Sequence, residues 1–247
     1  MELSYTILII IISILGPVIG SVLGFIKRPS DFFMYNMLAF AAGVMLAVSF
    51  LELIPESIGI SSVWLCFIGI IIGSIVMYGL DKLIPHIHPE LCRQEQGRRL
   101  EKTAIYLLLG IFLHNFPEGM AMGIGVVTEL KLGLLVALAI AIHNIPEGVC
   151  TSAPYYYVTK KRLRSFLISS STAIPTIIGF LFAHFLFQNI SMAIAGIIIA
   201  ATAGIRIYIS ADELIPTSCS RRDARWSHST IFSLIVGVLS VIVLGSF

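Results

Sequence analysis

Apolar residues in this chain gather in long runs, with little of the alternation expected of half-buried strands. Eight runs are long enough to be read as membrane-crossing helices, near 5–26, 34–57, 63–83, 103–127, 131–156, 164–188, 190–215 and 229–247. About 20 residues rising 1.5 Å each cover the roughly 30 Å hydrocarbon core, and every run meets that length. The connections are short; the one long polar segment is 84–102, DKLIPHIHPELCRQEQGRRLEK with its flanks. The pattern predicts an all-α integral membrane protein, residues 1–247 forming one polytopic domain in the lipid bilayer.

Composition agrees: 57% of the 247 residues are hydrophobic and 12% charged, with a mean hydropathy of +0.95. The net charge of +2 says little, but its placement says more. Connections after the first, third, fifth and seventh spans, counted with Lys82 and Arg164 at their edges, hold 14 of the 16 Lys and Arg. Lys131 is on the other side, and Arg206 is inside the seventh span. Basic loops stay in the cytoplasm, so 84–102 is expected to be cytoplasmic and both termini outside, in a multi-pass cell (plasma or inner) membrane protein. The balance gives no reason to expect a nucleic-acid partner. Cys66 and Cys150 fall in spans, and Cys92 and Cys219 in loops assigned to the reducing side, so no disulfide framework is expected.

Two internal repeats organise the chain. HNFPEG at His114–Gly119 returns as HNIPEG at His143–Gly148, and ELIPES at Glu52–Ser57 returns as ELIPTS at Glu213–Ser218. Each matched pair lies an odd number of spans apart and so runs in opposite directions. That is the mark of inverted repeats, a transporter plan with its site near the midplane. The expected architecture is three helices, a central pair, then three.

Ionisable groups at membrane depth are costly and mark pathways for ions or protons. On a helix, His114, Asn115 and Glu118 point to one region, as do His143, Asn144 and Glu147 in the second copy. Pro117 and Pro146 each deprive the carbonyl four residues back, of Leu113 and Ile142, of its helical donor. Two imidazoles, two carboxylates and two amide oxygens suit borderline divalent ions such as Zn²⁺ and Fe²⁺; Mg²⁺ or Ca²⁺ would favour oxygen alone. Glu52 is expected on the outer approach, and Asp212 and Glu213 on the inner one. His86 and His88, in the polar loop, are candidates for a low-affinity cytoplasmic acceptor.

These residues resemble the ZIP divalent-metal transporters, through nearly the whole chain: eight spans, outside termini, a histidine-bearing loop after the third span, and HNxPEG in both central spans. The resemblance implies that the family's metal positions fall on His114, Asn115, Glu118, His143, Asn144 and Glu147, and its flanking acids on Glu52, Asp212 and Glu213. It further implies zinc uptake, with Fe²⁺, Mn²⁺ or Cd²⁺ as further substrates, no cofactor, and an elevator-like movement of one helix bundle. A homodimer is an open partner assignment. Two positions depart from the family pattern. Ile174 stands before Pro175 where many relatives carry Glu, which argues for one principal ion over a binuclear centre. Arg206 stands in the seventh span where an apolar residue is usual, and is expected to substitute for the charge of a second metal.

The leading function is thus a secondary transporter importing divalent transition-metal ions. Two alternatives are kept: a metal exporter, since inverted symmetry hides direction, and an intramembrane metal-dependent hydrolase, which lacks any HExxH or nucleophile motif.

Overall fold

The computed structural model describes residues 3–26, 30–83, 115–127, 130–186, 191–219 and 224–245, and among these it holds helices and no strand. In chain order they are α1 (Leu3–Ile26), α2 (Asp31–Val48), α3 (Ile54–Ile60), α4 (Val63–Leu83), α5 (115–127), α6 (Leu130–Thr159), α7 (Arg162–Ser170), α8 (Ala173–Leu186), α9 (Met192–Ile209), α10 (Ile215–Ser218) and α11 (Ala224–Gly245). Seven stretches among the described residues are long and apolar enough to cross a membrane. Residues 103–114 of the predicted fourth span lie outside the described residues, so that span is seen as α5 alone.

Three spans are interrupted in ways periodicity does not foretell. A π turn at Ser49–Leu53 joins α2 to α3, and another at Ser210–Leu214 joins α9 to α10. In each the N–H of an isoleucine reaches five residues back, Ile54 to the Ser49 carbonyl and Ile215 to that of Ser210. The next residue is Pro55 or Pro216, which has no N–H and crowds the carbonyl four residues before it. One extra residue in the turn relieves that crowding. The predicted sixth span, expected as one helix over 164–188, is instead α7 and α8, meeting at Ser171–Thr172. There the hydroxyls of Ser171 and Thr172 donate to the carbonyls of Ile168 (2.6 Å) and Ser169 (2.8 Å), satisfying acceptors at the break ahead of Pro175.

The helices meet along glycine seams. A Cβ at Gly16 would fall on the Ala141 carbonyl and one at Gly20 on that of Ile145, so α1 and α6 run parallel with their backbones in contact. Small residues allow such approach where lipid offers no hydrophobic drive. Gly73 meets Ala201 (α4 with α9), Gly43 meets Leu234 (α2 with α11), and Gly119 meets Thr176 (α5 with α8). Exchanging the first, second, third and fourth spans with the sixth, seventh, eighth and fifth converts each seam into another. The matched spans also run oppositely. Ser57 Oγ donates to the Gly196 carbonyl at 2.8 Å, whereas Leu38, Ala41 and Met45 pack with Ile205, Ile209 and Leu214. Likewise Gly125 lies against Gly133 while Glu118 reaches His143. The bundle is therefore two groups, α1 with α5–α8 and α2–α4 with α9–α11, and the inverted repetition maps each group onto itself.

Apolar side chains of α4 and α11, such as Trp64, Phe67, Phe232 and Val243, face outward as lipid demands. Of the seven membrane-length stretches among the described residues, Leu130–Ala153 is the most enclosed. It carries His143, Asn144 and Glu147.

Candidate intramembrane metal site

Of the six midplane candidates, His114 lies outside the described residues, as do His86 and His88. Asn115, Glu118, His143, Asn144 and Glu147 are all buried, in spans whose surroundings are almost wholly apolar. Their placement follows from the repeat. The two copies sit on antiparallel α5 and α6, so Glu118 is brought opposite His143.

His143 is held at both ring nitrogens. Its Nδ1 lies 2.7 Å from the carbonyl of Ala139, one turn back, and its Nε2 lies 3.0 Å from Glu118 Oε1. A carbonyl only accepts, so Nδ1 is the donor to Ala139, and the contact with Glu118 takes a further proton. Such backbone anchoring fixes the tautomer and aims the other nitrogen, the usual preparation of a ligating imidazole.

A third charged group completes the cluster. Arg206 of α9, 1% exposed, places Nη2 3.1 Å from the same Glu118 Oε1. The approach is oblique to the N–H directions, so it is an ion-pair contact and not a hydrogen bond, and Nε and Nη1 find no hydrogen-bond partner among the described residues. A guanidinium snorkelling to an interface would be exposed at its tip; this one is turned inward.

The amides behave differently from each other. Asn115 Nδ2 donates to the Thr172 carbonyl at 2.8 Å, tying α5 to the break between α7 and α8, and its Oδ1 has no partner among the described residues. Asn144 is fully buried with neither amide atom partnered among them. Buried polar atoms are normally satisfied, so these oxygens fit a site that takes a cation. Among the described residues no three His, Cys, Asp or Glu side chains converge as a metal group; the described part of the site is the pair Glu118 and His143 with the amide oxygens.

The acids expected on the two approaches fall at opposite ends of the bundle. Glu52 sits half-buried on the first π turn, next to Gly245 and near Leu135, with Lys131 and Glu56 acting on it electrostatically. Asp212, exposed, and Glu213, half-buried, sit on the second π turn. Near them Tyr208 donates to Asp81 Oδ2 at 3.2 Å. Ile174 is 48% exposed and faces away from the centre, while Thr172 and Thr176 on the same segment face in.

Sequence reasoning missed a buried hydroxyl cluster. Ser21 donates to Ser169 (2.8 Å), Ser169 lies 2.5 Å from Thr151, and Thr151 donates to the Glu147 carbonyl (2.9 Å), so α1 and α7 brace the turn that carries Glu147. The available signal was the presence of hydroxyls within otherwise apolar spans.

A bundle of membrane-length helices with a buried polar centre, and acids toward both ends, defines a polytopic α-helical membrane protein. The family pattern described as "ZIP Zinc transporter" matches residues 3–102 and 85–245, and the chain belongs to that family. Among relatives, it is 39% identical over 207 residues to the "Zinc transporter ZupT" of Escherichia coli O127:H6 (strain E2348/69 / EPEC). It is 40% identical over 207 residues to the protein of the same name from Escherichia coli O1:K1 / APEC. Each match covers 80% of this chain and 80% of the relative.

Proposed function

We propose that this protein is a secondary transporter that imports zinc, with Fe²⁺, Mn²⁺ and Cd²⁺ as further substrates, across the inner or plasma membrane by alternating access. The ion is held at the midplane by His114, Asn115, Glu118, His143, Asn144 and Glu147. The observation that carries this reading is the meeting of Glu118 and His143 at 3.0 Å from two antiparallel helices, both buried, with the amide oxygens of their chain neighbours Asn115 and Asn144 unpartnered among the described residues. Two nearly 40% identical relatives bear the name of zinc transporters, which supports the choice of ion.

Each residue has a chemical task. Carboxylates offset the ion's charge where the dielectric is low. Imidazole nitrogen favours zinc over magnesium or calcium. Glu52 recruits the ion on the outer approach, and Asp212 and Glu213 receive it on the inner one, with the basic loops and His86 and His88 in the cytoplasm and both termini outside. Transport without product formation is expected.

Zinc uptake into proteoliposomes tests the reading, comparing the wild-type chain with Glu118→Ala and His143→Ala. Uptake down an imposed zinc gradient, lost in both variants, is expected. Undiminished uptake in both would overturn the site, and efflux without uptake would favour an exporter.

A further inference from the structure

The two halves of the site are not equal in charge at their buried centre, and the internal repeat shows where. Aligned on their π turns, Ala42–Pro55 and Ala203–Pro216 read AGVMLAVSFLELIP and AGIRIYISADELIP. Arg206 therefore stands where its repeat mate is Met45. Met45 is 0% exposed and Arg206 1% exposed, so the fold accepts an unbranched apolar side chain at this place. Arg206 is not required by the architecture; a methionine fills the equivalent space in the other half. A fully buried guanidinium at membrane depth is costly unless an anion compensates it, and the anion it meets is Glu118.

We propose that Arg206 is a tethered counter-cation for Glu118: it occupies a second cation position in the site, so that one divalent ion binds per chain and competes with the guanidinium for Glu118. This rests on the transporter reading above and deepens it. Arg206 belongs to the α2–α4 and α9–α11 group, whereas Glu118 and His143 belong to the α1 and α5–α8 group. The ion pair thus bridges the two groups, and an incoming ion that takes Glu118 loosens that bridge. The mate of Glu118 in the other repeat, Glu147, has Met45 as the corresponding neighbour in sequence register, so the cation is supplied to one half only. Like charge at close range weakens metal binding in a low-dielectric site. Arg206 consequently keeps the ion from being held too tightly to leave.

The test is zinc binding to the full-length protein in nanodiscs, with stoichiometry from equilibrium dialysis and affinity from calorimetry, using zinc chloride alone. Wild type is expected to bind one zinc per chain. Arg206→Met is expected to bind zinc at least about tenfold tighter, or to take a second ion, while Arg206→Lys stays close to wild type. Arg206→Met matching wild type in both affinity and stoichiometry would overturn the proposal. Should Arg206→Met not fold, Arg206→Gln, which keeps a polar side chain in the cavity, carries the same expectation and the same overturning result. Failure of the transporter reading looks different: wild type itself would then bind no zinc.

Discussion

Ser57 and Gly196 are joined by a 2.8 Å hydrogen bond from the serine hydroxyl to the glycine carbonyl, fastening the end of one bent rod to the start of its inverted mate. Both groups are buried, so Ser57→Ala removes a cross-helix bond that solvent cannot replace, while the Gly196 carbonyl keeps its helical donor. The expected loss is about 0.5–1.5 kcal/mol, seen as a lower Tm in detergent. An unchanged Tm would show that the bond makes no net contribution there.

Gly73 packs directly on the Ala201 backbone, and α4 cannot add a side chain there without moving away from α9. Gly73→Leu should cost roughly 1–3 kcal/mol or more by overpacking. Gly79, whose Cβ would meet nothing within 4 Å, is the control: Gly79→Leu should leave Tm unchanged. Equal effects of the two substitutions would refute the seam.

Asn144 is buried with an amide that has no partner among the described residues, a destabilising arrangement that a purely structural core would not favour. Asn144→Leu is expected to raise Tm by removing a desolvated polar group, a gain of about 1–3 kcal/mol, while zinc uptake falls severalfold. A loss of both stability and uptake would mean that the amide is a structural element.

Cys219 is exposed just after α10 and Cys66 is buried. In a chain keeping Cys219 alone, with Cys66, Cys92 and Cys150 changed to alanine, a membrane-impermeant maleimide should label only permeabilised cells. Labelling of intact cells would reverse the orientation assigned from the basic loops.

Much of this architecture was legible because the membrane simplifies the code. Hydrophobic run length located the spans, and odd separation of the two repeated strings implied opposite directions, which the contacts of Ser57 with Gly196 and Glu118 with His143 display. The π turns at Ser49–Leu53 and Ser210–Leu214 were not legible. In a span apolar on every face, one extra residue leaves no mark on periodicity, and only the Ile-Pro pairs hinted at it. The break at Ser171–Thr172 was hidden for the same reason, although the serine run before Pro175 was its cue. The composition of the site could be read from HNxPEG, but not the burial of Arg206 against Glu118, since helix rotation about its axis is set by neighbours far away in sequence.

The glycine seams also limit how this protein can change in length. Gly16, Gly20 and Gly24 recur every four residues along the face that α1 turns to α6. Inserting one residue between Gly16 and Gly20 would rotate everything beyond by about 100°, presenting Ile19 and Leu23 where backbone meets backbone, and deleting one would present Ser21 and Phe25. Spans of this kind tolerate substitution on their lipid side yet are locked in length, so insertions and deletions among descendants of this chain should collect in connections such as 84–102.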